Sequence, residues 1–119
     1  LGSSILYLVT PESFSSLHKL ENVEIWHYCG GDLMEQLLLF PDGSGEIRNI
    51  SLRSPVSVVP DGVWQGTRLA AGGSWGLCGV TMPAAYTDED FHLPDPAKLL
   101  KQYPQWRECI KDLLGKEHA

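Results

Sequence analysis

At 119 residues, 43% hydrophobic and 20% charged, the chain has the size and composition of one globular domain, not of a disordered or fibrous polymer. Its formal net charge is −6 and its nine Lys and Arg are scattered, which lacks the basic stripe of a nucleic-acid binder. No apolar run approaches the roughly 18 residues that cross a bilayer and no basic-then-apolar leader opens the sequence, so a soluble, cytoplasmic protein with no nucleic-acid or membrane partner is expected.

Residues 5–9 (ILYLV) form an apolar, β-prone run closed by Thr10 and Pro11. Two further strands, FSSLHKL at 14–20 and EIWHYC at 24–29, flank a tight polar corner. After Gly30, Gly31 and Asp32, the MEQLLLF run at 34–40 predicts a strand, and Pro41-Asp42-Gly43 a hairpin turn, because Asp-Gly supplies positive φ at little cost. GEIRNISL returns as its partner, followed by SVVP, DGVWQGTRL, a Gly-rich turn at 72–73 and SWGLCGVTM. A short strand about every 8–12 residues is the rhythm of an all-β sandwich or barrel. Only the tail changes period: Asp95 and Pro96 start a helix with Leu99, Leu100 and Tyr103 on one face, Pro104 interrupts it, and a second turn through Trp106, Ile110, Leu113 and Leu114 ends near Gly115. The expectation is one domain over 1–119, with strands over about 4–93 and a helical tail over about 95–115.

Two segments join polar side chains to strand alternation. Period two puts His18 and Leu20 on one face, then Glu24, Trp26 and Tyr28 on one face, with Lys19, Ile25 and His27 opposite. Val63, Gln65 and Thr67 likewise share a face against Trp64 and Arg68. If His18, Glu24 and Gln65 point into a closed sheet, something must satisfy them: a ligand, a metal, or a hydrogen bond between His18 and Glu24 themselves. Trp26 and Tyr28 are candidates to cover a planar or sugar-like face of a ligand, although buried Trp is more often core. Cys29, Cys78 and Cys109 are odd in number and form no C-x-x-C pair, so reduced thiols are expected. His92 and His118 receive no role, and His27 points away from Glu24.

These residues carry a resemblance. Residues 13–31 resemble the first cupin motif, G-x5-H-x-H-x3-4-E-x6-G, with His18, Glu24 and Gly31 in place and Leu20 where the second His belongs. Residues 54–69 resemble the second, G-x5-P-x-G-x2-H-x3-N, with Pro60 and Gly62 in place, Gln65 for its His, Ser54 for its first Gly and Leu69 for its Asn. More closely, Thr10 to His18, Glu24 to His27, Pro60 to Gln65 and the GVTMPAAYTDEDFHL exit look like the cupin family of uncharacterised function, called Cupin_5. Its members usually carry a few tens of residues ahead of the first strand, which this sequence does not show.

The resemblance implies a double-stranded β-helix, the RmlC-like jelly-roll barrel, with a short helical tail. Metal-dependent cupins hold a divalent ion with three His and a carboxylate; with Leu20 and Gln65 in two of those places, no cofactor is expected, and His18, Glu24 and Gln65 would hold a metal only weakly. The leading functional expectation is binding of a small polar metabolite, sugar- or nucleotide-like, by His18, Glu24, Trp26, Tyr28 and Gln65. The alternatives are a metal-independent epimerase or isomerase of the RmlC-like type, with His18 and Glu24 as catalytic candidates and Tyr28 or Tyr7 as proton donor, a weakly metal-dependent cupin enzyme, and a non-catalytic structural module. A homodimer is expected in each case, with Ile25 and Trp64 as outward contacts.

Overall fold

The computed structural model describes residues 2–115. Its strands are β1 (Ser3–Val9), β2 (Ser15–Leu20), β3 (Glu24–Gly31), β4 (Met34–Leu39), β5 (Gly45–Ile50), β6 (Val56–Val59), β7 (Trp64–Leu69), β8 (Gly76–Met82) and β9 (Phe91–His92), followed by helices α1 (Pro96–Gln102) and α2 (Arg107–Leu113). All pairings are antiparallel, and they form two sheets in the orders β1-β8-β3-β6 and β5-β4-β7-β2-β9. The jelly roll is present, but the closed sheet is not. Among the described residues no ladder joins the two sheets, so the expected barrel is a sandwich with two seams, β6 against β5 and β1 against β9.

Local chemistry explains the elements. The hairpin between β4 and β5 turns at Gly43, which sits at φ 91°, while Asp42 accepts from the backbone and hydroxyl of Ser44. Gly31, at φ 86°, ends β3 where the chain turns against Trp75, leaving no room for a β-carbon. Asp95 caps α1 by accepting from the amides of Ala97 and Lys98, with Pro96 in the first turn where its missing N–H costs nothing.

Two apolar clusters fill the molecule. Val9, Trp26, Met34, Leu38, Ile50 and Val80 are among the residues packed between the sheets. Leu17, Leu37 and Leu39 point the other way and are buried under Leu99, Tyr103, Ile110 and Leu113 of the tail. This second layer accounts for the unbroken Leu37-Leu38-Leu39 run, because β4 is covered on both faces. Tyr103 secures the layer by donating its hydroxyl to the Phe40 carbonyl at 2.6 Å. Trp64, expected as an outward contact, is instead packed against this cluster with the Lys19 ammonium 4.8 Å over its ring. Among the described residues the outer face of the other sheet has no such cover, and Leu6, Leu8, Val56 and Val58 are exposed there.

The β5–β6 seam is fastened by side chains. Ser57 donates to Gln36 Oε1 at 2.5 Å and Gln36 donates to Thr67 at 3.0 Å, all three buried. Arg48 spans the seam, reaching the Ser57 hydroxyl at 3.2 Å and the Val58 carbonyl at 2.6 Å. A charged donor on the edge carbonyl gives β6 the partner that a closed barrel would have supplied.

The tail is thus part of the core. In urea unfolding, Leu113→Ala is expected to cost about 2–5 kcal/mol, whereas Leu52→Ala, at an exposed position, changes stability by less than about 0.5 kcal/mol. Equal effects would show that the helices do not pack as described.

Candidate functional site

His18 lies on β2 beside a bulge. Ser15 pairs with Thr67 and His18 with Gln65, so β2 carries one residue more than β7 over this stretch. The bulge takes Ser16 out of the regular ladder, and the His18 Nδ1 donates to the Ser16 carbonyl at 2.8 Å. A carbonyl only accepts, so Nδ1 carries the proton and Nε2 presents a lone pair. Short β9 lies along β2 with Phe91 paired to Leu20, which stacks the Phe91 ring on the imidazole at 5.2 Å and 18°. Burial lowers the His18 pKa below 6.5, against the upward pull of the Ser16 bond.

Glu24 opens β3 in the opposite sheet and is 8% exposed. The Trp26 indole N–H donates to its Oε1 at 2.9 Å and also reaches Gln65 Oε1 at 3.2 Å. Gln65 in turn hydrogen-bonds the carboxylate. Burial still raises the Glu24 pKa above 4.5, the two hydrogen bonds opposing it. His18 and Glu24 do not bond to each other; each has its own support.

Both line a cavity of about 450 Å³ at the β1–β9 seam, with Ile5, Leu20, Val80, Met82 and Phe91 as its apolar walls and Ser3, Ser4 and Tyr86 completing its lining. An adjoining space of about 200 Å³ reaches Tyr7 and Trp26 and shares His18 and Glu24. Of the residues singled out in the sequence, His18 and Glu24 therefore share the cavity wall. Gln65 stands behind Glu24 and Trp26 works through its N–H, its ring being core. Tyr28 is not brought in. It lies four residues along β3, its hydroxyl donates to the Gly31 carbonyl at 2.6 Å, and a bulge follows it at Cys29. Tyr7 does line the smaller space, with its hydroxyl 3.4 Å from the Phe14 carbonyl.

His27 is exposed on the outer face, and His92 pairs with Glu21 at 3.2 Å. His118 lies outside the described residues. The cysteines are free thiols. Sequence reasoning gave no role to Phe91, Tyr86 or the Val80–Met82 wall. The alternation of Val80 and Met82 in GVTM was a usable signal for an inward face; the stacking of Phe91 on His18 was not readable, because β9 is two residues long.

The residues do not fit a cupin metal. The hydrocarbon Leu20 forms cavity wall where an imidazole would stand, and the Gln65 amide is engaged with Trp26 and Glu24. Among the described residues no three His, Cys, Asp or Glu side chains come together.

The family profile Cupin_5, described as "Cupin superfamily (DUF985)", matches residues 1–94. The chain is similar to a solved protein from Shewanella oneidensis, at 26% identity and TM-score 0.89 over 97% of this chain and 75% of that one. It is similar to a hypothetical protein from Leishmania major at 25% identity and TM-score 0.87, over 97% and 77%. A Streptococcus suis RmlC in complex with dTDP-D-xylose shares the fold at 13% identity and TM-score 0.60, over 74% and 46%. No curated protein matches, and no helix among the described residues is long and apolar enough to cross a membrane.

The two buried groups have opposite linkage to pH. As pH falls below 6.5 the unfolded chain binds a proton at His18 before the folded one does, so stability declines until the lowered folded pKa is passed. At Glu24 the folded chain protonates first, so acidification toward 4.5 relieves its burial cost. His18→Gln should therefore lose less stability than the parent between pH 7 and 5, measured by urea unfolding at each pH. Glu24→Gln should gain about 1 kcal/mol at neutral pH, a gain that shrinks on acidification. Curves that run parallel to the parent would refute either assignment.

Proposed function

From the premise that this chain belongs to the Cupin_5 family of the cupin superfamily, we propose that it binds a small molecule in the β1–β9 cavity, head group at His18 and Glu24. The single observation that supports this most is the pairing of a roomy apolar cavity with two buried polar side chains whose hydrogen-bonding capacity the protein leaves partly unspent. A volume of about 450 Å³ suits a metabolite of modest size.

The RmlC neighbour is solved with a dTDP-sugar, whose diphosphate needs cationic partners. Among the described residues lining this cavity there is no Lys or Arg. That favours a ligand with one compact polar head over a nucleotide-sugar.

Proton abstraction is the second reading. One observation favours it: His18 keeps a free Nε2 and a lowered pKa, the form a general base requires near neutrality, and Tyr7 lines the adjoining space. An enzyme of this kind would exchange a substrate carbon-bound hydrogen for solvent deuterium, and exchange would vanish in His18→Ala.

Binding is tested by a thermal-shift screen of polar metabolites. A true ligand should stabilise the protein saturably, by about 2.7 kcal/mol at a hundred times its Kd, and His18→Ala should abolish the effect. Gln65→Ala should weaken it through release of Glu24. Ligands that stabilise His18→Ala as well as the parent would place binding elsewhere.

A further inference from the structure

We propose that the head group recognised at His18 and Glu24 is a primary ammonium ion carried on a short apolar body, an inference that rests on the binding role proposed above. The argument is a count of donors and acceptors. With its proton committed to the Ser16 carbonyl, His18 offers the cavity only the Nε2 lone pair. Glu24 uses part of its capacity on Trp26 and Gln65, and an ionised carboxylate accepts at about four positions, so acceptor sites remain. Where they face the cavity, His18 and Glu24 therefore present acceptors, and the donors lining the two spaces are neutral hydroxyls, those of Ser3, Ser4, Tyr7, Ser15, Ser16 and Tyr86. A ligand must bring the hydrogens.

Charge points the same way. No Lys or Arg lines either space among the described residues, and the ion pairs of Arg48 and Arg68 lie at the β5–β6 seam and beside α2. Glu24 is thus a desolvated carboxylate without a cation, and its raised pKa is the cost of that isolation. Tyr86, which lines the cavity, is followed by the turn Asp88-Glu89-Asp90 that leads into Phe91. An anionic head group would meet the Glu24 carboxylate with no cation among the described residues lining the cavity to offset it. A neutral alcohol brings one donor. A primary ammonium brings three donors and the missing charge.

The walls define the rest of the molecule. Leu20, Val80, Met82 and Phe91 offer hydrocarbon, so each methylene added to the body should tighten binding about fourfold until the cavity is full.

The test compares n-pentylamine, pentan-1-ol, pentanoate and pentyltrimethylammonium by amide NMR titration of the full chain near neutral pH. Pentylamine should perturb His18, Glu24 and Phe91 saturably and bind about tenfold or more tighter than pentan-1-ol, with pentanoate and the donor-free trimethylammonium weaker still. Glu24→Gln should close the gap between amine and alcohol. Ile5→Trp, at an exposed position on the cavity wall, should block both without touching the polar floor. If alcohol or pentanoate binds as tightly as amine, or if the gap survives Glu24→Gln, the ammonium assignment is overturned while the cavity remains a binding site. If no compound perturbs the cavity, or Ile5→Trp binds all of them unchanged, the binding role itself fails. Zinc or manganese that saturates at one ion per chain and displaces pentylamine would also overturn the assignment, in favour of a metal.

Discussion

The indole of Trp26 ties the packing of the sandwich to the polarity of its cavity. Its ring is 1% exposed, lies in the cluster between the sheets and meets the Tyr7 ring at 5.6 Å. Its single N–H faces both Glu24 and Gln65, which come from different sheets. The carboxylate buried at the start of β3 relies on that donor, held in place by the core around it, together with Gln65. Disturbing the core moves the donor, and moving the donor strands the charge. Packing and site are therefore one energetic unit.

Much of the architecture was legible because each element carried its own local signal. The alternation through Glu24, Trp26 and Tyr28, the Asp42-Gly43 turn and the Asp95-Pro96 helix start are local facts, and each appears where the sequence places it. The site was legible only as far as strand alternation reaches. Period two brought His18, Glu24 and Gln65 to inward faces but could not say which of them stand at the wall and which behind it. Tyr28 shows the limit: it shares a face with Glu24, yet four residues of strand carry it about 13 Å away. Closure was misread for a related reason. Whether two sheets join at a seam depends on hydrogen bonds between strands distant in sequence, and here the β5–β6 seam is bridged by Arg48 and Ser57 side chains instead of a ladder.

The bulge in β2 has a comparable role at the site. One additional residue costs a ladder bond, and the freed Ser16 carbonyl sets the tautomer of His18. The substitutions at Leu20 and Gln65 then read as parts of one change. With Leu20 and Gln65 in the places of two cupin imidazoles, the pocket has hydrocarbon on its wall and an amide behind the carboxylate.

The two seams of the sandwich give the molecule a spine and a fore-edge. At the spine, Arg48, Ser57, Gln36 and Thr67 bind sheet to sheet. At the fore-edge, β1 and the two-residue β9 both line the cavity, with no ladder between them among the described residues. A book fastened in this way is held along one side only. His18 and Glu24 therefore lie at the unlaced margin, where no backbone ladder among the described residues fixes the spacing of the two sheets.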